Sequence, residues 1–188
     1  MSRLQLLLIV STILGSWLAM QAIHELGHVC AAWFTGGRVE RVVLHPFTIS
    51  RTDFIENRNP LFVVWAGPIF GVIVPLIMWM LTALAKIPSS FVLRFFAGFC
   101  LIANGLYIGV GSFDGIGDSG EMLVHGSSRW QLWLFGALTL PIGLWLWHRQ
   151  GPNFGLGEAS GHVDKRTTYA TCAACVLVAI VGFAVGGE

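Results

Sequence analysis

His24, Glu25 and His28 stand within the pentapeptide His-Glu-Leu-Gly-His, near the end of a long apolar stretch. On a helix, residues four apart return to one face a turn further along, so two imidazoles at this spacing can hold one metal ion. Glu25 sits beside that face. A carboxylate there can take a proton from a water activated by the metal, the general-base role that this motif has in zinc hydrolases. Zn2+ is therefore the expected cofactor, His24 and His28 its expected ligands, and Glu25 the expected catalytic base. The plainer alternative is a pair of core histidines bonded to neighbouring helices; the complete motif on one helix argues against it.

The surroundings place this chemistry in a membrane. Leu4 to Ile23 contains no charged residue, and Val29 to Phe34 continues without one. Ionisable side chains in such a segment are costly to bury and mark a site that faces the protein interior or a water-filled cavity. Of the 188 residues, 55% are hydrophobic and 11% are charged, against about 25% charged in soluble domains. A soluble core could not hide this much apolar surface, so the lipid bilayer is the expected solvent. The first apolar stretch is longer than a signal-peptide core, and removing it would destroy the motif, so it is expected to be retained. A net charge of +1 without a dense Lys/Arg stripe excludes nucleic acid as a partner. Cys30, Cys100, Cys172 and Cys175 all lie in apolar segments and read as small buried hydrophobes.

The elements that must position the motif follow from hydropathy. A spanning helix needs about 20 apolar residues. After the first segment, Leu61 to Ala85, Phe91 to Val110, Trp130 to Trp147 and Thr167 to Val185 meet or approach that length, with room for a half-helix between residues 118 and 126. Between the first two spans, Val39, Arg41 and Val43, then Phe47, Ile49, Arg51 and Asp53, alternate as strands do. The expected fold is an all-α polytopic membrane protein with about five or six transmembrane helices. A short β-hairpin-like segment follows the first helix. Residues 1–188 are expected to form a single integral membrane domain.

Two histidines leave a zinc site one protein ligand short, and a carboxylate oxygen suits that place. The segment Phe-Asp-Gly-Ile-Gly-Asp-Ser-Gly-Glu, residues 113–121, offers both Asp114 and Asp118. Asp118 directly precedes Ser119-Gly120-Glu121-Met122-Leu123, which can resume a helix that Asp118 would cap while pointing at the metal. Asp114 is followed by Gly115-Ile116-Gly117 and is held less rigidly. Asp118 is preferred as the third ligand, with Asp114 as its alternative.

In these residues the chain resembles the site-2 protease family of intramembrane zinc metalloproteases, specifically its short, divergent, protease-like bacterial branch. The resemblance is carried by His24 to His28, by Ala66-Gly67-Pro68 in the next span, and by Asn104 with the downstream Asp-Gly and Asp-Ser-Gly segment. It implies a catalytic core over approximately 4–125, with additional C-terminal transmembrane helices at approximately 129–148 and 167–186. It further implies an Asp as third zinc ligand, a substrate-binding role for Asn104, and residence in a bacterial cytoplasmic membrane. Gly71 stands where the family usually has Asn after Ala-Gly-Pro, and no separate peptide-binding domain is evident. Substrate selection is then expected from the membrane core and the hairpin-like segment.

The function expected from motif and resemblance is hydrolysis of peptide bonds in a transmembrane protein substrate. A non-proteolytic regulator or transporter that retains the fold is the alternative, and Glu25 favours the enzyme. A di-iron oxygenase would need several histidine boxes, whereas His45, His125, His148 and His162 are scattered singly.

Overall fold

The computed structural model describes residues 1–44, 50–55 and 57–186. Helix α1 (Arg3–Phe34) starts at Ser2, whose hydroxyl accepts the Gln5 N–H. It runs for 32 residues and ends at Thr35, after which Gly36, with φ of 74°, turns the chain away from the helix axis. Strand β1 (Arg38–Val43) then pairs antiparallel with β2 (Arg51–Ile55), placing Val39 opposite Phe54 and Val42 opposite Thr52, with an irregularity between Val39 and Arg41. This is the hairpin that alternation predicts. Phe47 and Ile49, part of the same pattern, lie outside the described residues.

Helix α2 (Pro60–Leu84) opens on Pro60, tolerated there because the first N–H groups of a helix have no internal partner. Helix α3 (Ser90–Asp114) stops at Gly115, which adopts the left-handed conformation that glycine takes without strain. Helix α4 (Gly117–Val124) is the expected half-helix. Helix α5 (Arg129–Trp147) is capped by Ser128, whose N–H is accepted by the Gln131 side chain. Two 3-10 turns, Gly151–Phe154 and Gly157–Ala159, lead to α6 (Lys165–Gly186). Five of these helices are long and apolar enough to cross a membrane, and α4 is not among them.

Packing orders the long helices as α6, α1, α2, α3 and α5, with α4 tucked against α3 and α2. The hairpin is seated on the start of this stack: Val39 and Phe54 pack on buried Ala31, Ala32, Val63 and Ala66. Met122 of α4 is fully buried among Val64, Ile108 and Leu132, which fixes the half-helix to three neighbours. At the α3–α5 contact, a Cβ on Gly136 would meet the Gly105 carbonyl at 2.9 Å and Gly109 Cα at 3.3 Å. Small residues let backbones approach where lipid supplies no hydrophobic drive between helices. That stripe was not anticipated from sequence.

Candidate active site

His24 and His28 lie one turn apart on α1, with ring centroids 4.9 Å apart, and both are buried. Each ring is held through its inner nitrogen. His24 Nδ1 stands 2.8 Å from Asn104 Oδ1, and the Asn104 amide nitrogen donates in turn to the Cys100 carbonyl at 2.9 Å. His28 Nδ1 stands 2.9 Å from the Val63 carbonyl. A carbonyl can only accept, so Nδ1 carries the proton in each neutral ring and Nε2 presents its lone pair. Pro68 gives α2 no N–H for the Val64 carbonyl, next to the one His28 uses, so this turn of α2 is locally short of a donor.

The two Nε2 atoms converge on one carboxylate. Asp118 Oδ2 lies 2.7 Å from His24 Nε2 and 3.3 Å from His28 Nε2. One ligand atom from each of His24, His28 and Asp118 lies within 4.8 Å of the others. Asp118 is not the helix cap that the sequence suggests. The cap position is Ile116, and Asp118 sits inside the first turn of α4, with its N–H donated to the Tyr107 hydroxyl at 3.2 Å. The Tyr107 ring also lies edge-on to His24, with centroids 5.9 Å apart. Asp114 ends α3, exposed and outside this cluster.

These donors fit a divalent cation. Two lone-pair nitrogens and a carboxylate oxygen facing one another at short range repel unless positive charge lies among them. The surroundings also leave space: Gly67 of α2 faces both rings, and a Cβ there would collide with His28 Nε2 and stand 2.8 Å from His24 Nε2. The small residues at this helix contact therefore have separate tasks. On α1 Gly27 admits the Ala66 backbone carbonyl, while on α2 Gly67 clears the imidazoles and Gly71 clears the Asn104 amide. The helix stays continuous through this stretch, so close approach, and not an unwound backbone, is what those residues serve.

Glu25 is buried at 3% exposure, and its Oε2 accepts the Thr52 hydroxyl proton at 2.7 Å. Strand β2 thus reaches into the site. Asn104, for which the resemblance implies a substrate-binding role, is 1% exposed, and both ends of its amide are engaged, by His24 and by Cys100. In this arrangement it orients His24. Sequence reasoning missed Thr52, Tyr107 and the Val63 carbonyl. The first two are ordinary residues in ordinary contexts, and a backbone carbonyl leaves no mark on sequence.

The solvent-facing side of the cluster is that of Asp118, whose side chain keeps 21% exposure against 8% and 6% for the two histidines.

Neither the curated proteins nor the solved structures contain a match to this chain. One family does match, that described as Peptidase M50B-like, over residues 5–109. The matched span includes the motif helix, Ala66-Gly67-Pro68 and Asn104, and stops short of Asp118, whose place beside the histidines rests on geometry alone. With the match covering more than half of a chain that folds into five membrane-length helices, this integral membrane protein belongs to the Peptidase M50B-like family, bearing out the resemblance to the site-2 proteases.

Proposed function

We propose that the protein is an intramembrane zinc metalloprotease that hydrolyses peptide bonds of transmembrane protein substrates in a bacterial cytoplasmic membrane. The observation that carries this reading is the pair of imidazoles fixed through Nδ1, with both Nε2 lone pairs converging on Asp118. A histidine ligand with its second nitrogen bonded to a fixed acceptor is the usual support of a metal site. His24, His28 and Asp118 would hold the ion. Zinc, when bound, supplies Lewis-acid polarisation of the scissile carbonyl and makes water a nucleophile at neutral pH.

The chain's own residues manage the proton. Thr52 engages Oε2 of Glu25 and leaves Oε1 to take a proton from the attacking water. The water oxygen bonds to the scissile carbon, and Glu25 returns the proton to the leaving amine as the C–N bond breaks. Asn104 and Val63 O hold the rings against rotation, and Tyr107 fixes the turn that carries Asp118. A substrate helix has its own carbonyls tied up, so local unwinding must come first, and the β1–β2 hairpin would accept an extended segment by strand addition. A regulator or transporter that merely retained the metal would have no use for a buried carboxylate held by a strand hydroxyl.

The test combines metal analysis with a Glu25→Gln variant of the full-length protein. Both proteins should carry zinc at one equivalent, and the variant should lose hydrolysis of a transmembrane substrate by about 10²- to 10⁴-fold. Cleavage by Glu25→Gln at the unsubstituted rate would sink the mechanism.

A further inference from the structure

Gln21 lies one turn before Glu25 on α1 and is 7% exposed, yet neither its Nε2 nor its Oε1 has a hydrogen-bond partner. Among the described residues it is the only side chain with two such buried atoms. An unpaired amide in apolar surroundings is costly. It lines a cavity of about 340 Å³ whose other walls are apolar, with Leu18 and Ala22 of α1, Met78 of α2, Phe96 of α3 and Leu177 of α6 among them. Leu44, the residue that follows β1, closes one side.

The geometry points to this groove as a substrate subsite, in which the Gln21 amide pairs with the backbone of an unwound segment of the transmembrane substrate. This inference rests on the proteolytic reading and names what that site recognises. The occupant is set by hydrogen-bond chemistry. A side-chain amide offers an acceptor oxygen and N–H donors together. An acyl chain matches neither, and a lipid ester carbonyl matches only the donor. The groups of an intact helix are engaged internally. An extended peptide has a free carbonyl and a free N–H side by side, and pairs with both atoms of Gln21.

Position supports the same occupant. Four residues along α1 amount to about 6 Å, so a segment held at Gln21 reaches the level of Glu25 within about two residues of extended chain. Strand β1 ends at Val43, and the next residue, Leu44, lines the groove. The outer wall, α6, packs mainly on α1 and is otherwise uncovered, with 6% of its apolar window buried. A substrate entering from lipid on this side therefore meets one helix, α6, before the groove.

The experiment measures binding in the full-length Glu25→Gln protein, so that it does not depend on turnover. The probes are two synthetic transmembrane peptides of about 22 residues, one with a central Pro-Gly pair that favours unwinding and one of unbroken Leu. Gln21→Met, a near-isosteric apolar change, should weaken binding of the Pro-Gly peptide about tenfold and leave the all-Leu peptide unaffected, with zinc content and melting temperature equal to or above those of the parent. Leu177→Trp, which fills the groove from α6, should give the same selective loss. Unchanged affinity in both variants overturns the subsite, as does an equal loss for both peptides or a Gln21→Met protein that loses zinc. Bound phosphatidylcholine that falls in the variants while peptide affinity holds would assign the groove to lipid and overturn it too. If the peptide binds as expected but the Glu25-containing protein cleaves nothing, the proteolytic reading fails and the subsite stands.

Discussion

Thr52 donates its hydroxyl proton to Glu25 Oε2 over 2.7 Å, joining a strand of the hairpin to the carboxylate that follows the first histidine of the motif. The contact spans 27 positions of sequence. It makes the hairpin part of the site's construction.

Thr52→Val keeps the shape of the side chain and removes the donor. A hydrogen bond to a charged group contributes about 1.5–3 kcal/mol, so hydrolysis should fall about 10- to 100-fold with zinc content unchanged. Thr52→Ser should recover most of the rate. A valine variant as fast as its parent would show that Glu25 needs no such partner.

Val42 stands opposite Thr52 in the ladder. Proline in its place distorts the pairing at the residue that holds Glu25. Val42→Pro should therefore lower hydrolysis at least as far as Thr52→Val does, while metal analysis still returns full zinc. Loss of zinc would mean that the hairpin supports the whole cluster and not Glu25 alone.

The two aspartates separate cleanly. Asp118→Ala removes the carboxylate on which both Nε2 atoms converge and should strip zinc and activity together. Asp114→Ala alters an exposed residue at the end of α3 and should keep its zinc. Equilibrium dialysis against a zinc-buffered solution decides between them, and zinc retained by Asp118→Ala would move the third ligand elsewhere.

Gly67→Ala places a methyl group against both imidazoles. Overpacking of this kind costs about 1–3 kcal/mol, and here the strain falls on the ligand rings. The variant should bind zinc at least tenfold more weakly and melt at a lower temperature. Normal affinity would show that α2 can retreat from α1.

Much of this was legible in sequence because lipid simplifies the problem. A span must satisfy its own backbone, so hydropathy alone located the five long helices. The motif fixed its own geometry, since four residues on a helix have one arrangement. Asp118 was separable from Asp114 because only one of them leads into a helix, although it proved to lie within the first turn and not at the cap. What stayed hidden was partnership across the fold. The hydrogen bond between Asn104 and His24, 80 positions apart, leaves no trace in either residue's local sequence. Thr52 carries no mark that separates it from a solvated strand residue, and Gln21 reads as one polar residue in an apolar run. Such roles are set by which helix faces which, and a single sequence does not encode that locally.

The length of α1 has a consequence for hydration. At 32 residues it measures about 48 Å, well beyond a hydrocarbon layer of about 30 Å. Setting Arg3 in one headgroup region, with α1 along the membrane normal, would put His24 roughly 32 Å further along the axis, near the far edge of the oily layer. Peptide groups released there by an unwinding helix meet interfacial water, which replaces the hydrogen bonds they give up. The thermodynamic barrier to exposing a scissile bond is correspondingly lower than at the bilayer centre, and the nucleophile need not travel through hydrocarbon to reach it.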